Sequence, residues 1–315
     1  MSTLTRVLAF LSVLPALTAC GMKEPEPAGA EAATQVQSFV SAERQNKSAD
    51  RTNKSADRTD KSADRTDKSA DRKHAQPAPE KSPAGQARLM ELPETAEGEA
   101  IVSHTGYTLS FNTTTLCPNW VAWELTASET RGHLERSRDF FPDDHIPARQ
   151  RVTTNDYTGS GYTRGHMCPA ADMEWGAQAL HDCFLMSNMC PQSADLNRYG
   201  WEKLEKACRR WARKEGKVLI VCGPIYYKER KARTIGRQHK VRVPDAFFNC
   251  VCSTRKGHEK AIGFIYANND SYQTMAKSIR TVDDIERLTG YNFFVNLPDP
   301  LEERIERRAR LDDWP

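Results

Sequence analysis

From residue 101 onward, apolar and polar positions fall into short runs of recognisable period. Tyr107-Thr-Leu-Ser-Phe-Asn112 alternates apolar and polar side chains, as a strand with a buried face does. Trp120-Val-Ala-Trp-Glu-Leu125 is aromatic and β-branched and predicts a second strand. Three further apolar runs bounded by turn residues follow: Val218-Leu-Ile-Val-Cys222, Ala246-Phe-Phe-Asn-Cys-Val-Cys252 and Ala261-Ile-Gly-Phe-Ile-Tyr266. Between the second and third strand the period changes. Trp201, Leu204, Cys208 and Trp211 are spaced three, four and three, so residues 198–214 are predicted to form a helix with one apolar face, stopped by Gly216. That stripe assigns Trp201 and Trp211 to the core rather than to base stacking. Strands with one long helix inserted among them predict an α+β fold.

No such pattern occurs before residue 100. All six Trp and all nine Tyr lie at or beyond Tyr107, so the first hundred residues lack the side chains that dominate packed cores. Arg6 precedes an apolar run over residues 7–17, too short to span a bilayer and suited to the core of a signal peptide. The run ends in Leu17-Thr-Ala-Cys20, which resembles the bacterial lipobox, with Cys20 as the lipid-bearing residue. Residues 46–72 repeat Asn/Asp-Lys-Ser-Ala-Asp-Arg-Thr with a period of seven, but alanine is the only apolar residue in each copy, too little for a coiled-coil seam. The expected organisation is a lipoprotein signal peptide at 1–19, a disordered tether at 20–99 and one folded domain at 100–315. That organisation predicts an exported bacterial lipoprotein, held to the membrane of the cell envelope by its N-terminal lipid, on the outer membrane or cell surface. A homodimer is left open.

Net charge changes little: 45 Lys+Arg against 42 Asp+Glu gives +3, too weak to point to nucleic acid by itself. Setting Cys20 aside, eight cysteines remain, and an even number in an oxidising compartment favours disulfides. Structural zinc is disfavoured because Cys-x-x-Cys is absent; Cys250-x-Cys252 reads as part of a strand with its cysteines on alternate faces.

Candidate chemistry concentrates between Asp156 and Glu205. An Arg and a His flank a Gly in Tyr162-Thr-Arg-Gly-His-Met-Cys-Pro, where the missing side chain permits close approach. Ser187-Asn-Met-Cys-Pro-Gln192 then precedes Asn197 and the helix with Trp201-x-x-Leu-Glu205.

This ordered series, together with His104-Thr-Gly-Tyr, Pro118-Asn-Trp-Val-Ala-Trp, Asp156-Tyr and Cys222-Gly-Pro, resembles the DNA/RNA non-specific endonucleases of the ββα-metal fold. The resemblance spans roughly residues 104–266 and implies a central antiparallel sheet with a long metal-site helix. It makes His166 the general base that takes a proton from water, Asn197 the direct ligand of one Mg2+, with Mn2+ or another divalent ion as an alternative, and Glu205 a holder of a metal-bound water. Arg164 belongs to the same motif, and Arg136 is matched to an upstream arginine that offsets transition-state charge. The implied activity is hydrolysis of phosphodiester bonds in DNA and RNA, with 5′-phosphate products and little sequence preference. The family usually has Asp where this chain has Thr163. That departure is the argument for a rival reading, a membrane-tethered nucleic-acid-binding protein without activity; another alternative is a phosphodiesterase for a different phosphorylated polymer. Asp172 is left outside the catalytic set, and for Glu205 the competing role is a surface pair with Arg209 at i+4.

Overall fold

The computed structural model describes residues 89–137 and 139–315. The expected signal peptide, Cys20 and the repeats at 46–72 lie outside the described residues. The folded part reaches back before residue 100: Met90 and Leu92 pack on the core, and the Glu94 amide donates to the Asn292 carbonyl at 2.8 Å.

Among the described residues, β1 (Ala100–His104), β2 (Tyr107–Asn112), β3 (Cys117–Thr126), β6 (Lys217–Ile225), β9 (Ala246–Ser253), β10 (Lys260–Ala267) and β11 (Ile279–Arg280) form one antiparallel sheet, in the order β1-β2-β3-β6-β9-β10-β11. Two small hairpins stand outside it: β4 (Thr163–His166) with β5 (Met189–Gln192), and β7 (Thr234–Ile235) with β8 (Val241–Arg242). The central strands are apolar throughout because both faces of the sheet are covered. Val121, Trp123, Ile220, Phe247 and Phe264 enter one core, and their neighbours Trp120, Ala122, Leu219, Val221 and Phe248 enter the other. On the first face lie α1 (Ala170–Met173), α2 (Ala177–Cys183) and α3 (Glu202–Glu215); on the second, α5 (Val282–Thr289) and α6 (Asp299–Glu306), while the short α4 (Met275–Ser278) abuts β10.

The predicted helix is present in two parts. Leu196–Trp201 winds as a π-helix and runs directly into α3, which ends at Gly216 with φ 90°. Trp201 and Trp211 are both 1% exposed, on the core side.

The cysteines depart from expectation. All eight in the described region are free and buried, distributed between the two cores as small apolar residues. Cys250 and Cys252 also share one face, in the second core, as residues two apart in a strand must.

Candidate active site

Strand pairing assembles the site. β4 carries Thr163, Arg164, Gly165 and His166, and its partner β5 places Gln192 opposite Thr163 and Cys190 opposite Gly165. A Cβ at Gly165 would fall 2.3 Å from Gln192 Oε1, so this position accepts no side chain while the hairpin is closed. The Gln192 amide is itself buried and without a hydrogen-bond partner.

His166 sits in an aromatic box. Its ring lies 5.5 Å from Phe140 and 5.1 Å, edge-on, from Phe184, and these two rings also contact each other. Nε2 is sealed from solvent without a partner, which leaves Nδ1 as the nitrogen that can meet water. Burial, with the charges of Arg136 and Arg164, lowers the imidazole pKa to about 3. The ring is therefore neutral at physiological pH. The Arg164 guanidinium lies over the same Phe140 ring, 4.4 Å from its centre. Arg136 is exposed, and its charge is felt at both His166 and Glu205, though it makes no hydrogen bond or ion pair among the described residues.

Asn197 lies in the π-helical turn, a distortion that recurs at functional positions because it re-aims one residue without ending the helix. Its Nδ2 donates to Thr163 Oγ1 at 3.1 Å, and that hydroxyl donates to the Gln192 carbonyl at 2.9 Å. Thr163 thereby fixes the rotation of the Asn197 amide, and among the described residues no donor reaches Asn197 Oδ1. The hydroxyl that replaces the expected carboxylate is thus built into the site.

Glu205 is half-buried on α3 and has no ion-pair or hydrogen-bond partner among the described residues. Arg209, the i+4 neighbour, turns away: its Nη1 donates to Asp172 Oδ1 at 2.8 Å, while Trp123 Nε1 donates to Asp172 Oδ2 at 3.1 Å. Burial, only partly countered by Arg209, pushes the Glu205 carboxyl up to about 8. The sequence leaves Asp172 outside the catalytic set and offers Arg209 as a pair for Glu205; the structure instead joins Arg209 and Trp123 to Asp172, six residues after His166.

The donor set fits a hard cation. An amide oxygen without a donor and a carboxylate without a partner are oxygen ligands short of positive charge, which suits Mg2+ better than a soft metal. A different cluster, His104, Asp143 and His145, has ligand-like spacing but already spends its carboxylate. Asp143 accepts hydrogen bonds from Ser187 Oγ at 2.5 Å and from the His145 amide at 2.9 Å, and lies within hydrogen-bond distance of His104 Nε2 (3.0 Å) and His145 Nδ1 (2.9 Å). Burial alone would raise its pKa; these bonds hold it below the usual carboxylate range. It clasps together the segments that carry His104, His145 and Ser187.

The family model for DNA/RNA non-specific endonucleases matches residues 86–300, most of the chain. The chain belongs to the DNA/RNA non-specific endonuclease family. It is 34% identical over 216 residues to a protein named nuclease from Nostoc sp., covering 64% of this chain and 76% of that one. It is 31% identical over 232 residues to mitochondrial endonuclease G of Bos taurus, covering 70% and 76%. A crystal structure of EndoG in complex with EndoGI superposes with a TM-score of 0.62 at 27% identity, over 67% of this chain and 92% of that one. The expected fold, a central antiparallel sheet with a long helix beside the site, is the fold observed.

Proposed function

We propose that this family member is a metal-dependent endonuclease that cuts DNA and RNA with little sequence preference and leaves 5′-phosphates. The observation that carries the proposal is convergence. Asn197 is tied to Thr163, three residues before His166, and the charge of Arg136 falls on His166 and Glu205 alike.

His166 acts as the general base through its solvent-facing nitrogen. A pKa of about 3 keeps the free imidazole unprotonated but makes it a weak base. The negative charge of a bound phosphodiester opposes Arg136 and Arg164 and raises that basicity where it is needed. Arg164, stacked on Phe140, and Arg136 stand ready to offset charge gathering on the phosphoryl oxygens. Asn197 Oδ1 and, through water, Glu205 would hold a Mg2+ ion, which supplies further charge stabilisation at the phosphate and the leaving oxygen. Contacts aimed at phosphate carry no base information, which accounts for the low specificity. Export, and attachment to the envelope membrane by lipid at Cys20, complete this reading on sequence grounds alone.

The test is cleavage of plasmid and RNA by the wild type and His166→Ala, with and without EDTA, circular dichroism confirming the fold. Loss of orders of magnitude in turnover with retained nucleic-acid binding is expected for His166→Ala. Equal cleavage by the variant would eliminate His166 as the base, and a wild type inactive with every divalent ion would leave only a binding protein.

A further inference from the structure

The overall charge of the chain is nearly balanced, but its distribution is not. Residues 228–242 carry seven cationic side chains against one carboxylate, Glu229. Some cations elsewhere lie against carboxylates, as Lys206 does on Glu202, Lys217 on Glu124 and Arg304 on Glu259, but what sets this segment apart is the excess of cations over so short a stretch. Within the segment Arg230 lies 3.9 Å from the Asp245 carboxylate. Lys231, Arg233, Arg237, Lys240 and Arg242 form no ion pair among the described residues.

The segment is a hairpin bolted beside the active site. Ile235 and Val241, opposite each other in β7 and β8, are buried in the same core that supports β4. His239, 7% exposed, turns inward: its Nδ1 lies 2.9 Å from Asp156 Oδ2, and its amide donates to Asp156 Oδ1 at 3.2 Å. Gly236, at φ 89°, passes so close that a Cβ would meet the His239 carbonyl at 2.2 Å. The Arg233 guanidinium donates to the Tyr162 hydroxyl at 2.8 Å, and Tyr162 directly precedes Thr163. Tyr162 also lines a recess of about 300 Å³ with Phe140, Tyr157, Thr163 and Arg164. Two of the guanidiniums lie over rings, Arg233 over Tyr162 at 5.9 Å and Arg242 over Tyr226 at 4.5 Å, which limits the entropy lost when they bind an anion.

We propose that this hairpin is an arm that grips the phosphodiester backbone of the substrate strand beyond the scissile bond. The inference rests on the nuclease reading and deepens it: the site itself binds one phosphate, and the arm adds neighbouring phosphates of a polymer. Unpaired cations on a rigid base release condensed counterions from nucleic acid at little ordering cost. An anionic lipid surface offers similar charges, but the fastening of the arm to Asp156 and Tyr162, on the approach to β4, favours a chain that also enters the active site.

The experiment uses the full-length protein carrying Lys231→Ala, Arg237→Ala and Lys240→Ala together. A matched control carries Arg287→Ala, Arg307→Ala and Arg308→Ala on the opposite side of the sheet. Binding to a duplex oligonucleotide is measured in EDTA across a salt series, followed by kinetics on plasmid and on a dinucleotide. For the arm variant the slope of log affinity against log salt should fall by roughly 2 to 3, at about 0.9 per phosphate contact, and plasmid KM should rise about tenfold or more. Its kcat on the dinucleotide should match wild type, and the control should keep the wild-type slope. An unchanged slope in an arm variant folded by circular dichroism, beside an active wild type, overturns the arm and leaves the nuclease standing; Lys231→Glu alone, with the same readout, repeats the test if the triple variant misfolds. Loss of binding to phosphatidylglycerol vesicles without loss of DNA binding overturns it in favour of a lipid surface. A wild type that cuts neither DNA nor RNA removes both readings.

Discussion

Replacing Thr163 with valine removes one hydroxyl and keeps the shape of the side chain. Two hydrogen bonds go with it, from Asn197 Nδ2 at 3.1 Å and to the Gln192 carbonyl at 2.9 Å. Each contributes about 0.5–1.5 kcal/mol net, and the half-buried setting lets water replace part of the loss, so the fold should lose about 1–2 kcal/mol. The larger effect is on the amide. Without its acceptor Asn197 is free to rotate and present either its oxygen or its amino group to a cation, and loss of such an orienting partner typically costs 10- to 100-fold in metal affinity. Plasmid cleavage titrated with Mg2+ should show the half-saturating concentration rising by about that factor, with the plateau changed only a few-fold. Mn2+ binding followed by electron paramagnetic resonance should weaken in parallel, without reference to turnover. Thr163→Ser, which keeps the hydroxyl, should behave as wild type. Identical metal curves for a folded Thr163→Val protein would refute the claim that this hydroxyl sets the Asn197 amide.

The depressed His166 pKa makes two measurable demands. The acid limb of kcat/KM should lie well below the ordinary imidazole value near 6.5, and that of kcat higher, because bound phosphate opposes the two arginines. In stability the unfolded chain takes up a proton at its ordinary pKa and the native chain does not, so native stability falls as pH drops from about 6.5 toward 3. His166→Gln should remove about 2–3 kcal/mol of that loss at pH 4.5, read by urea denaturation; equal pH dependence in both proteins would contradict it. The raised Glu205 carboxyl works in the opposite sense: its protonated form is favoured in the metal-free fold, and stability declines as pH rises from about 4.5 through 8. Glu205→Gln should accordingly stabilise the metal-free protein at pH 8.5, by about 1–3 kcal/mol in urea denaturation, while cleavage is lost; a destabilised variant would count against this. Asp172→Asn should release Arg209 toward Glu205 and lower activity about tenfold or more at limiting Mg2+, and an unaltered metal requirement would rule out that positioning role.

The sequence showed most of the sheet because strands buried on both faces are written as unbroken apolar runs. Residues 246–252 and 261–266 were read to within one residue of the strands that formed. β4 and β5, four residues each, have no period long enough to register, although they carry the site. The order of the family motifs singles out His166, Arg164, Asn197 and Glu205 as candidates, but it does not say what they touch. Arg209 could pair with Glu205 by helical spacing; only the approach of α1 shows that Asp172 takes it instead. The cysteines were misjudged because even number says nothing of proximity, and apolar packing offers thiols another place in the fold. Net charge concealed the basic hairpin by averaging it with the rest of the chain.

Those thiols set a clock. In the folded protein all eight lie out of reach of solvent, and burial raises the pKa of the Cys168, Cys190, Cys208, Cys222 and Cys250 thiols well above the ordinary range, so little reactive thiolate is presented to an oxidant. The unfolded chain has no such shelter. Export, as proposed, delivers it to an oxidising space with every one of these sulfurs exposed, where each wrong cross-link is a trap the native core has no room for. Closure of the sheet must therefore outrun thiol oxidation, and slow folding of this long-range antiparallel topology would be punished chemically as well as by aggregation.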